Sequence, residues 1–250
     1  MAALGRQLWP LVALAAAGPL FAAAQAPPAP GARFVVVLDA AHGGGDAGAR
    51  ILDSSGQSRP EKDVTLALSV RLRSLLAARG IAVVTTRESD ATLDPEQRAE
   101  IADHAGAQAC LTLHASMTGS GVHLFLSSLP PAQPARLLPW TTAQAAWAPR
   151  SIALAGVLNS ALLHAGIPVT LGRTALTTVD SMACPAVAVE VAPEYGAGSS
   201  ASGSLDDPGY QARVADALAA GLLEWRATTP AGKDRRAQGA SRAPEEGRQP

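Results

Sequence analysis

Apolar runs of strand length alternate along the chain with segments whose apolar residues recur at helical spacing. Val64 to Arg79 places its apolar residues on one helical face and is followed by Gly80 as a stop. Ile81 to Thr86 is apolar enough to be a strand buried on both faces. This alternation predicts an α/β fold with a mostly parallel twisted sheet of about six strands and helices on both faces. The predicted strands are Arg33 to Leu38, Ile81 to Thr86, Ala109 to His114, Val122 to Ser127, the weaker Arg173 to Thr178, and Pro185 to Val191.

Three further helices are predicted from the signals at their ends. Asp94-Pro95-Glu96-Gln97 combines an N-cap, a first-turn proline and a capping-box partner, and so opens a helix to about Ala105. A helix from about Ser151 to Ala165 is closed by Gly166, and Asp207-Pro208 opens the last one. The apolar face of that last helix carries Tyr210, Val214, Leu218, Leu222 and Trp225.

The two ends of the chain differ from this middle part. One positive charge at Arg6, a short apolar core from Leu11 to Ala17 and small residues from Ala22 to Ala26 form the pattern of a secretory signal peptide. An uncleaved anchor is the alternative, but prolines and a glycine interrupt the apolar run below the ~20 residues that a spanning helix needs. We therefore expect a signal peptide over 1–26, a proline-rich lead-in to 32, one folded domain over 33–226 and a disordered tail over 227–250. The mature protein would be periplasmic or secreted.

Composition narrows the class of protein further. A chain of 250 residues has room for one sizeable core, and its formal net charge of −1 gives no field that would draw it to nucleic acid or to an anionic membrane. We expect a monomer. Cys110 and Cys184 are the two cysteines, too few for a disulfide-stapled scaffold or a zinc-finger cage. Buried free thiols are the expected state, and a single bridge is the alternative.

The stretch VVVLDAAHGGGDAGA, Val35 to Ala49, runs from the first predicted strand into a glycine-rich turn. Gly43, Gly45 and Gly48 fit the G-x-G-x-x-G pattern of dinucleotide sites, which hold a pyrophosphate where a helix begins at the glycines. Here the polar stretch ARILDSSGQSRPE separates the glycines from the first helix, so a phosphate site is disfavoured. A metal site is the other hypothesis, because the same turn carries His42.

Imidazoles and carboxylates stand close to the ends of several predicted elements. His42 follows the first strand, His114 ends the third, Glu61 precedes the first helix, and Glu190 lies within the last strand. The carboxyl ends of parallel strands gather at one edge of a sheet, where sites form. Two imidazoles and one carboxylate, with a fourth position open to water, are the ligand set of a catalytic zinc site. A second carboxylate nearby can carry the proton.

Each of these residues also has a purely structural interpretation. A histidine after a strand is commonly a loop or core residue, and on that ground His104, His123 and His164 are given no part in a site. Glu190 is harder to explain, because an unpaired carboxylate buried within AVAVEV costs several kcal/mol. Water on a metal would compensate it in an active site, and an arginine from a neighbouring element would do so in a structural one.

Four segments resemble, in order and spacing, the zinc-dependent N-acetylmuramoyl-L-alanine amidases of bacterial cell walls (amidase type 3). They are VVLDAAHGGGDAGA, EKDVTLALSVRLRSLLAARGIAVVTTRESD, DPEQRAEIADHAGAQACLTLHAS and PAVAVEV, and the similarity runs from about Arg33 to Trp225. The resemblance implies that His42, Glu61 and His114 bind Zn²⁺ and that Glu190 is the catalytic glutamate. It also implies hydrolysis of the amide between N-acetylmuramic acid and L-alanine in peptidoglycan, the expected partner.

Two aspartates are assigned to the surroundings of the metal on the same resemblance. Asp39 and Asp46 stand where the family has aspartates, and we expect them to act on the ligands, for example by holding His42 in one tautomer. Turn capping is the alternative for Asp46.

The substrate groove is the part of the site where the sequence departs most from the family. Ser116 stands where the family often has asparagine, and the segment 130–149 is unlike it. Ser116, Trp140 and Trp147 are the candidate groove residues, because aromatic faces stack on sugars and peptides. The alternative for both tryptophans is that they pin the loop to the core.

Two rival functions remain at this point. A catalytically silent wall-binding protein could keep the fold, although it would have no need for all four of His42, Glu61, His114 and Glu190. A zinc amidohydrolase acting on another peptide or on an acylated sugar is the second rival. The chain contains no G-x-S-x-G elbow, which disfavours a serine hydrolase.

Overall fold

The computed structural model describes residues 34–132, 139–195 and 201–229. The predicted signal peptide and proline-rich lead-in lie outside the described residues, as does the predicted tail from residue 230 onward. The first residues assigned to that tail, 227 and 228, belong instead to the last helix.

The helices and strands alternate as the sequence predicts. In chain order they are β1 (Val35–Ala40), β2 (Arg50–Leu52), β3 (Ser58–Pro60), α1 (Glu61–Ala78), β4 (Ala82–Thr85), α2 (Pro95–His104), β5 (Ala109–Ala115), β6 (Val122–Ser127), a 3-10 helix (Trp140–Ala146), α3 (Ala148–His164), β7 (Val169–Thr174), α4 (Thr177–Ser181), β8 (Ala186–Val191), β9 (Glu194–Tyr195), β10 (Ala201–Gly203) and α5 (Pro208–Thr228).

Six of these strands form one sheet in the order β4-β1-β5-β8-β6-β7. Neighbouring strands are parallel, apart from β6, which runs antiparallel to β8. The predicted six-stranded, mostly parallel sheet is therefore confirmed. Because β6 is reversed, its first residues lie at the same edge as the last residues of β1, β5 and β8. That edge carries the candidate site.

Helices cover both faces of the sheet, as expected for parallel strands. Apolar residues of α1, α3 and α5 pack on one face, and those of α2 and α4 pack on the other. The predicted apolar face of α5 is buried along its whole length. None of the helices in the described ranges is both long enough and apolar enough to cross a membrane.

Several predicted boundaries were wrong for identifiable reasons. The strand after Gly80 is not buried on both faces: β4 lies at the edge of the sheet and is half-buried throughout. The weak strand predicted at 173–178 is displaced, because β7 pairs with β6 from Val169 to Thr174 and the following residues form α4. The polar stretch after the glycine-rich turn contains the β2–β3 hairpin, which the sequence did not predict.

The expectation that both cysteines are free thiols was also wrong. Cys110 in β5 and Cys184, just before β8, form a disulfide with their Cα atoms 6.3 Å apart. The two strands are neighbours, with Cys110 paired to Ala186 in the register, so the cysteines come within the separation that a bridge requires. The two cysteines are 74 residues apart along the chain, so the sequence does not show that they are close in space.

Candidate metal centre and active site

The glycine-rich turn after β1 is closed by its own hydrogen bonds. The amides of Gly43 and Asp46 each donate to the other's carbonyl, at 2.9 and 3.1 Å, and the amides of Gly44 and Gly48 donate to aspartate side chains. Amides already bonded in this way cannot cradle a phosphate. The turn instead presents His42, whose φ of 63° lies in the left-handed region that side chains rarely adopt.

Glu61 is the first residue of α1, and it is buried with only 4% of its surface exposed. Pro60 precedes it with φ −70°, and negative charge in the first turn is favoured by the helix dipole. Its two oxygens receive four contacts: Nε2 of His42 at 3.1 Å, Nδ1 of His114 at 2.9 Å, and the amides of Ala49 and Ala115 at 2.9 and 3.0 Å. The carboxylate therefore joins β1, β5 and α1.

These contacts also control ionisation. Burial by itself raises the pKa of Glu61, but hydrogen bonds from His114, His42 and the two amides outweigh it and hold the pKa well below the usual range. The bond to Glu61, followed by the one to Asp46, raises the pKa of His42 despite its partial burial. The carboxylate is accordingly ionised, the form in which it binds a cation.

One donor atom from each of His42, Glu61 and His114 lies within 4.8 Å of the other two. Tetrahedral zinc with bonds of about 2.0–2.1 Å places neighbouring ligand atoms about 3.3 Å apart. Oε2 of Glu61 lies 3.1 Å from Nε2 of His42, close to that value, and the other oxygen, Oε1, lies 2.9 Å from Nδ1 of His114. Two nitrogens and one carboxylate oxygen thus fit a zinc ion, with a further coordination position left for water or substrate.

Asp46 and Asp39, assigned together from the sequence, have different environments. Oδ2 of Asp46 lies 2.8 Å from Nδ1 of His42, and an ionised carboxylate only accepts, so Nδ1 is the donor in that contact. Nε2 of the same ring lies 3.1 Å from Oε2 of Glu61. Asp39 does not contact the His42 ring, contrary to expectation. Its buried carboxylate accepts from Thr86 and Arg98, each at 2.7 Å. Asp39 lies within β1, and its side chain faces α2, where Arg98 lies.

Two buried arginines hold the turn, and the sequence analysis missed both. Arg98 of α2 bonds Asp39 and also donates to the carbonyl oxygens of Ala40 and His42, at 2.8 and 2.7 Å. Arg87 donates to the carbonyls of Ala40 and Lys62, at 2.8 and 2.7 Å, tying the end of β1 to the start of α1. In the sequence, Arg87 and Arg98 look like ordinary solvent-exposed charges of a loop and a helix. Their burial could not be foreseen, because the backbone oxygens that they contact are distant along the chain.

Glu190 lies in β8 directly between two histidines. The register pairs it with His114 of β5 on one side and with His123 of β6 on the other. Its Oε1 is 2.8 Å from Nδ1 of His123, so the half-buried carboxylate is compensated by an imidazole. The predicted partners were a water on a metal or an arginine, whereas the contact comes from His123, a residue that was given no part in a site from the sequence.

The predicted groove residues do not meet at the site. Ser116, two residues after His114, bonds within its own turn to Thr118. Trp140 lines a cavity of about 370 Å³ together with α2 residues such as Glu100 and Asp103, and the cavity's lining does not include the three clustered donor residues. Trp140 is 46% exposed there.

Trp147 lies at the opposite edge of the sheet from the metal ligands. Arg150 packs over its ring and over that of Trp225, with 5.9 and 5.7 Å to the two centroids. Trp225 donates to the carbonyl of Gln108, just before β5 begins. Trp147 precedes α3, which begins near the amino ends of β1, β5 and β8, so its ring lies away from His42, Glu61 and His114.

A layered α/β domain with a His-Glu-His cluster at the carboxyl edge of its sheet defines the class, a protein whose clustered donor atoms fit a metal ion. The chain belongs to the N-acetylmuramoyl-L-alanine amidase family, whose model matches residues 36–224. All three members of the cluster, and Glu190, lie inside that match.

Individual relatives are consistent with the family. The chain is 27% identical over 246 residues to an N-acetylmuramoyl-L-alanine amidase of Mycobacterium tuberculosis, covering 87% of this chain and 96% of the relative. It is 35% identical over 94 residues to the germination-specific N-acetylmuramoyl-L-alanine amidase of Bacillus subtilis, a match that spans 32% of this chain and only 38% of that relative.

A solved structure gives the same result for the fold. The catalytic domain of CwlV, an N-acetylmuramoyl-L-alanine amidase from Bacillus (Paenibacillus) polymyxa var. colistinus, superposes with a TM-score of 0.58 at 27% identity. The match covers 78% of this chain and 99% of that domain.

Proposed function

We propose that this protein is a zinc-dependent hydrolase that cleaves the amide between N-acetylmuramic acid and L-alanine in bacterial peptidoglycan. The observation that carries the proposal is the family match over residues 36–224, with the His42, Glu61 and His114 donor atoms gathered inside it. The N-terminal signal pattern supports action in a periplasm or outside the cell, where peptidoglycan lies.

Three residues would hold the ion, with roles that differ. Nε2 of His42, a carboxylate oxygen of Glu61 and the His114 ring would bind Zn²⁺, and Asp46 would fix the tautomer of His42 through its 2.8 Å contact with Nδ1. Arg98 would act more remotely, because it fixes the backbone carbonyl of His42. The chemistry that zinc supplies in such a site is polarisation of the scissile carbonyl and activation of a water molecule.

Glu190 would move the proton. Its carboxylate accepts the proton that the attacking water loses, and it then delivers this proton to the departing nitrogen of L-alanine as the carbonyl carbon–nitrogen bond breaks. Hydrolysis by this route leaves a lactyl carboxyl group on the sugar and a free amine on the peptide. The reaction balances with one water and needs no covalent intermediate on the protein.

The experiment is an assay of bound metal and product release on the same preparation. The chain without residues 1–26 is incubated with purified peptidoglycan alone, with a chelator, and with a chelator followed by added zinc. We expect stem peptides with a new L-alanine amino terminus, abolished by the chelator and restored by zinc, with the Glu190→Gln variant as the inactive control.

Other results would contradict the proposal in different ways. Bound zinc with no peptide release would favour a silent wall-binding protein or a different amide substrate. Cleavage at another bond of the wall would disprove the substrate assignment. A preparation that binds no zinc, yet is folded, would disprove the metal centre.

A further inference from the structure

Glu190 and His123 occupy adjacent positions in one row of side chains across the sheet. Register partners on neighbouring strands point to the same face, so His114, Glu190 and His123 follow one another on β5, β8 and β6. The reversed direction of β6 is what brings the beginning of that strand to the edge where β5 and β8 end. His123 thus lies next to the proposed proton carrier, on the side away from the metal ligands.

The contact between the two side chains is directional. Nδ1 of His123 is 2.8 Å from Oε1 of Glu190, and an ionised carboxylate can only accept, so the imidazole donates. The His123 side chain is 10% exposed, and that of Glu190 is 28% exposed. One carboxylate oxygen is therefore occupied by a buried donor, while the side chain as a whole keeps access to the surface from which substrate arrives.

His123 is itself held in place by its neighbours. The Phe125 ring packs edge-on against it, with centroids 6.2 Å apart. Gly119, with φ 81°, comes so close that a Cβ built there would lie 2.4 Å from Cε1 and Nε2 of the imidazole. Because Gly119 has no side chain, the imidazole of His123 fits beside it, but the glycine backbone prevents the ring from moving toward the loop. An imidazole held in this position can hold the Glu190 carboxylate that it contacts.

We propose that His123 is a positioning residue for turnover: its Nδ1–H holds Oε1 of Glu190 so that the second oxygen is directed to the attacking water and the leaving amine. The inference rests on the proposed amidase function. A glutamate side chain has three rotatable bonds, and a misplacement of about 1 Å can cost on the order of 10²-fold in rate. His123 removes that freedom, and it is not one of the clustered donor residues.

The test compares two substitutions of His123 that differ in the donor they keep. In His123→Asn the side-chain amide can place an N–H near the position of Nδ1, whereas His123→Ala removes the donor. We expect kcat to fall roughly 10- to 100-fold in His123→Ala, with KM and zinc content unchanged, and to recover most of that loss in His123→Asn. His164→Ala, on the exposed end of α3, is the matched control.

A second measurement separates positioning from packing. If His123 acts through Glu190, His123→Ala should cause no further loss of kcat in a Glu190→Gln background, because the group it positions no longer carries the proton. Thermal melting of every variant checks that each one folds. Additive losses in the double variant would overturn the inference.

Two further outcomes would overturn it as well. His123→Ala with the kcat of the unaltered protein would show that Glu190 needs no donor, and equal losses in His123→Ala and His123→Asn would mean that only the shape of the ring matters. Failure of the proposed function is distinguishable, because the unaltered protein would then release no stem peptide at all.

Discussion

Glu61 and Glu190 are two carboxylates at the same edge of the sheet, and they differ in how many donors surround them. Glu61 is almost fully buried and receives contacts from two imidazoles and two backbone amides. Glu190 is 28% exposed and takes one imidazole contact, from His123. Each carboxylate is close to two histidines. Glu61 has contacts on both of its oxygens, whereas the contact of Glu190 is on one oxygen.

This difference separates two chemical tasks. A buried carboxylate that backbone amides hold in place and that faces two imidazoles is ionised and immobile, and it can share a cation with those imidazoles, which suits a metal ligand. A carboxylate with one fixed oxygen and one uncommitted oxygen can still exchange a proton, which suits general acid–base chemistry. The surroundings, rather than the residue type, distinguish the proposed ligand Glu61 from the proposed proton carrier Glu190.

Removal of a ligand should have the largest effect. His114→Ala deletes one imidazole and leaves Glu61 without its 2.9 Å contact, so we expect zinc and activity to be lost together. Activity should fall by about 10³-fold or more, which corresponds to a loss of about 4 kcal/mol. Metal analysis after dialysis, with His164→Ala as the control, checks this. Normal zinc content in His114→Ala would remove His114 from the ligand set.

Glu190→Gln should have a smaller effect of a different kind. The amide keeps the size of the side chain but cannot take up a proton, so kcat should fall by about 10²- to 10³-fold. Zinc content should stay the same, because Glu190 is not among the clustered donor atoms. Paired zinc and kcat measurements test the comparison directly. A loss of zinc in this variant would mean that the two carboxylates do not have separate tasks.

Gly48→Ala should disturb the metal centre alone. A Cβ at Gly48 would lie 2.6 Å from Cδ2 of His42 and 2.8 Å from Oε2 of Glu61, and the residue has φ 67°. The ligands must then shift, so we expect zinc affinity to fall by about 10- to 100-fold, with kcat largely restored at saturating zinc. A zinc titration of the apoprotein measures this. Gly56→Ala also has positive φ but open space around it, and so controls for backbone strain.

Gly119→Ala is the corresponding change beside His123 and Glu190, and it should have the smallest effect. Its Cβ would press on the His123 ring rather than on a ligand, so zinc affinity should not change. We expect kcat to fall on the order of tenfold, through displacement of Glu190. If Gly119→Ala lowered zinc affinity as much as Gly48→Ala, the two halves of the site would be coupled rather than independent.

Much of the fold follows from local signals in the sequence. Asp94, Pro95 and Gln97 form the predicted capping box, and Asp207 caps α5 as expected. These predictions succeed because caps and helical faces depend on residues a few positions apart. The order of the strands in the sheet, the edge position of β4 and the bridge between Cys110 and Cys184 depend on packing across long separations, which the local pattern does not record.

The sequence by itself determined the layered α/β architecture and, through motifs in the family's order, the residues that gather as His42, Glu61 and His114. Tertiary structure alone decided which side chains surround them. It directed Asp39 to Arg98, carried Trp147 to the far edge of the sheet and, by reversing β6, placed His123 beside Glu190. The physical reason is that residue type and spacing fix helices, strands and their ends, whereas the partner of a buried charge is fixed by strand register and direction.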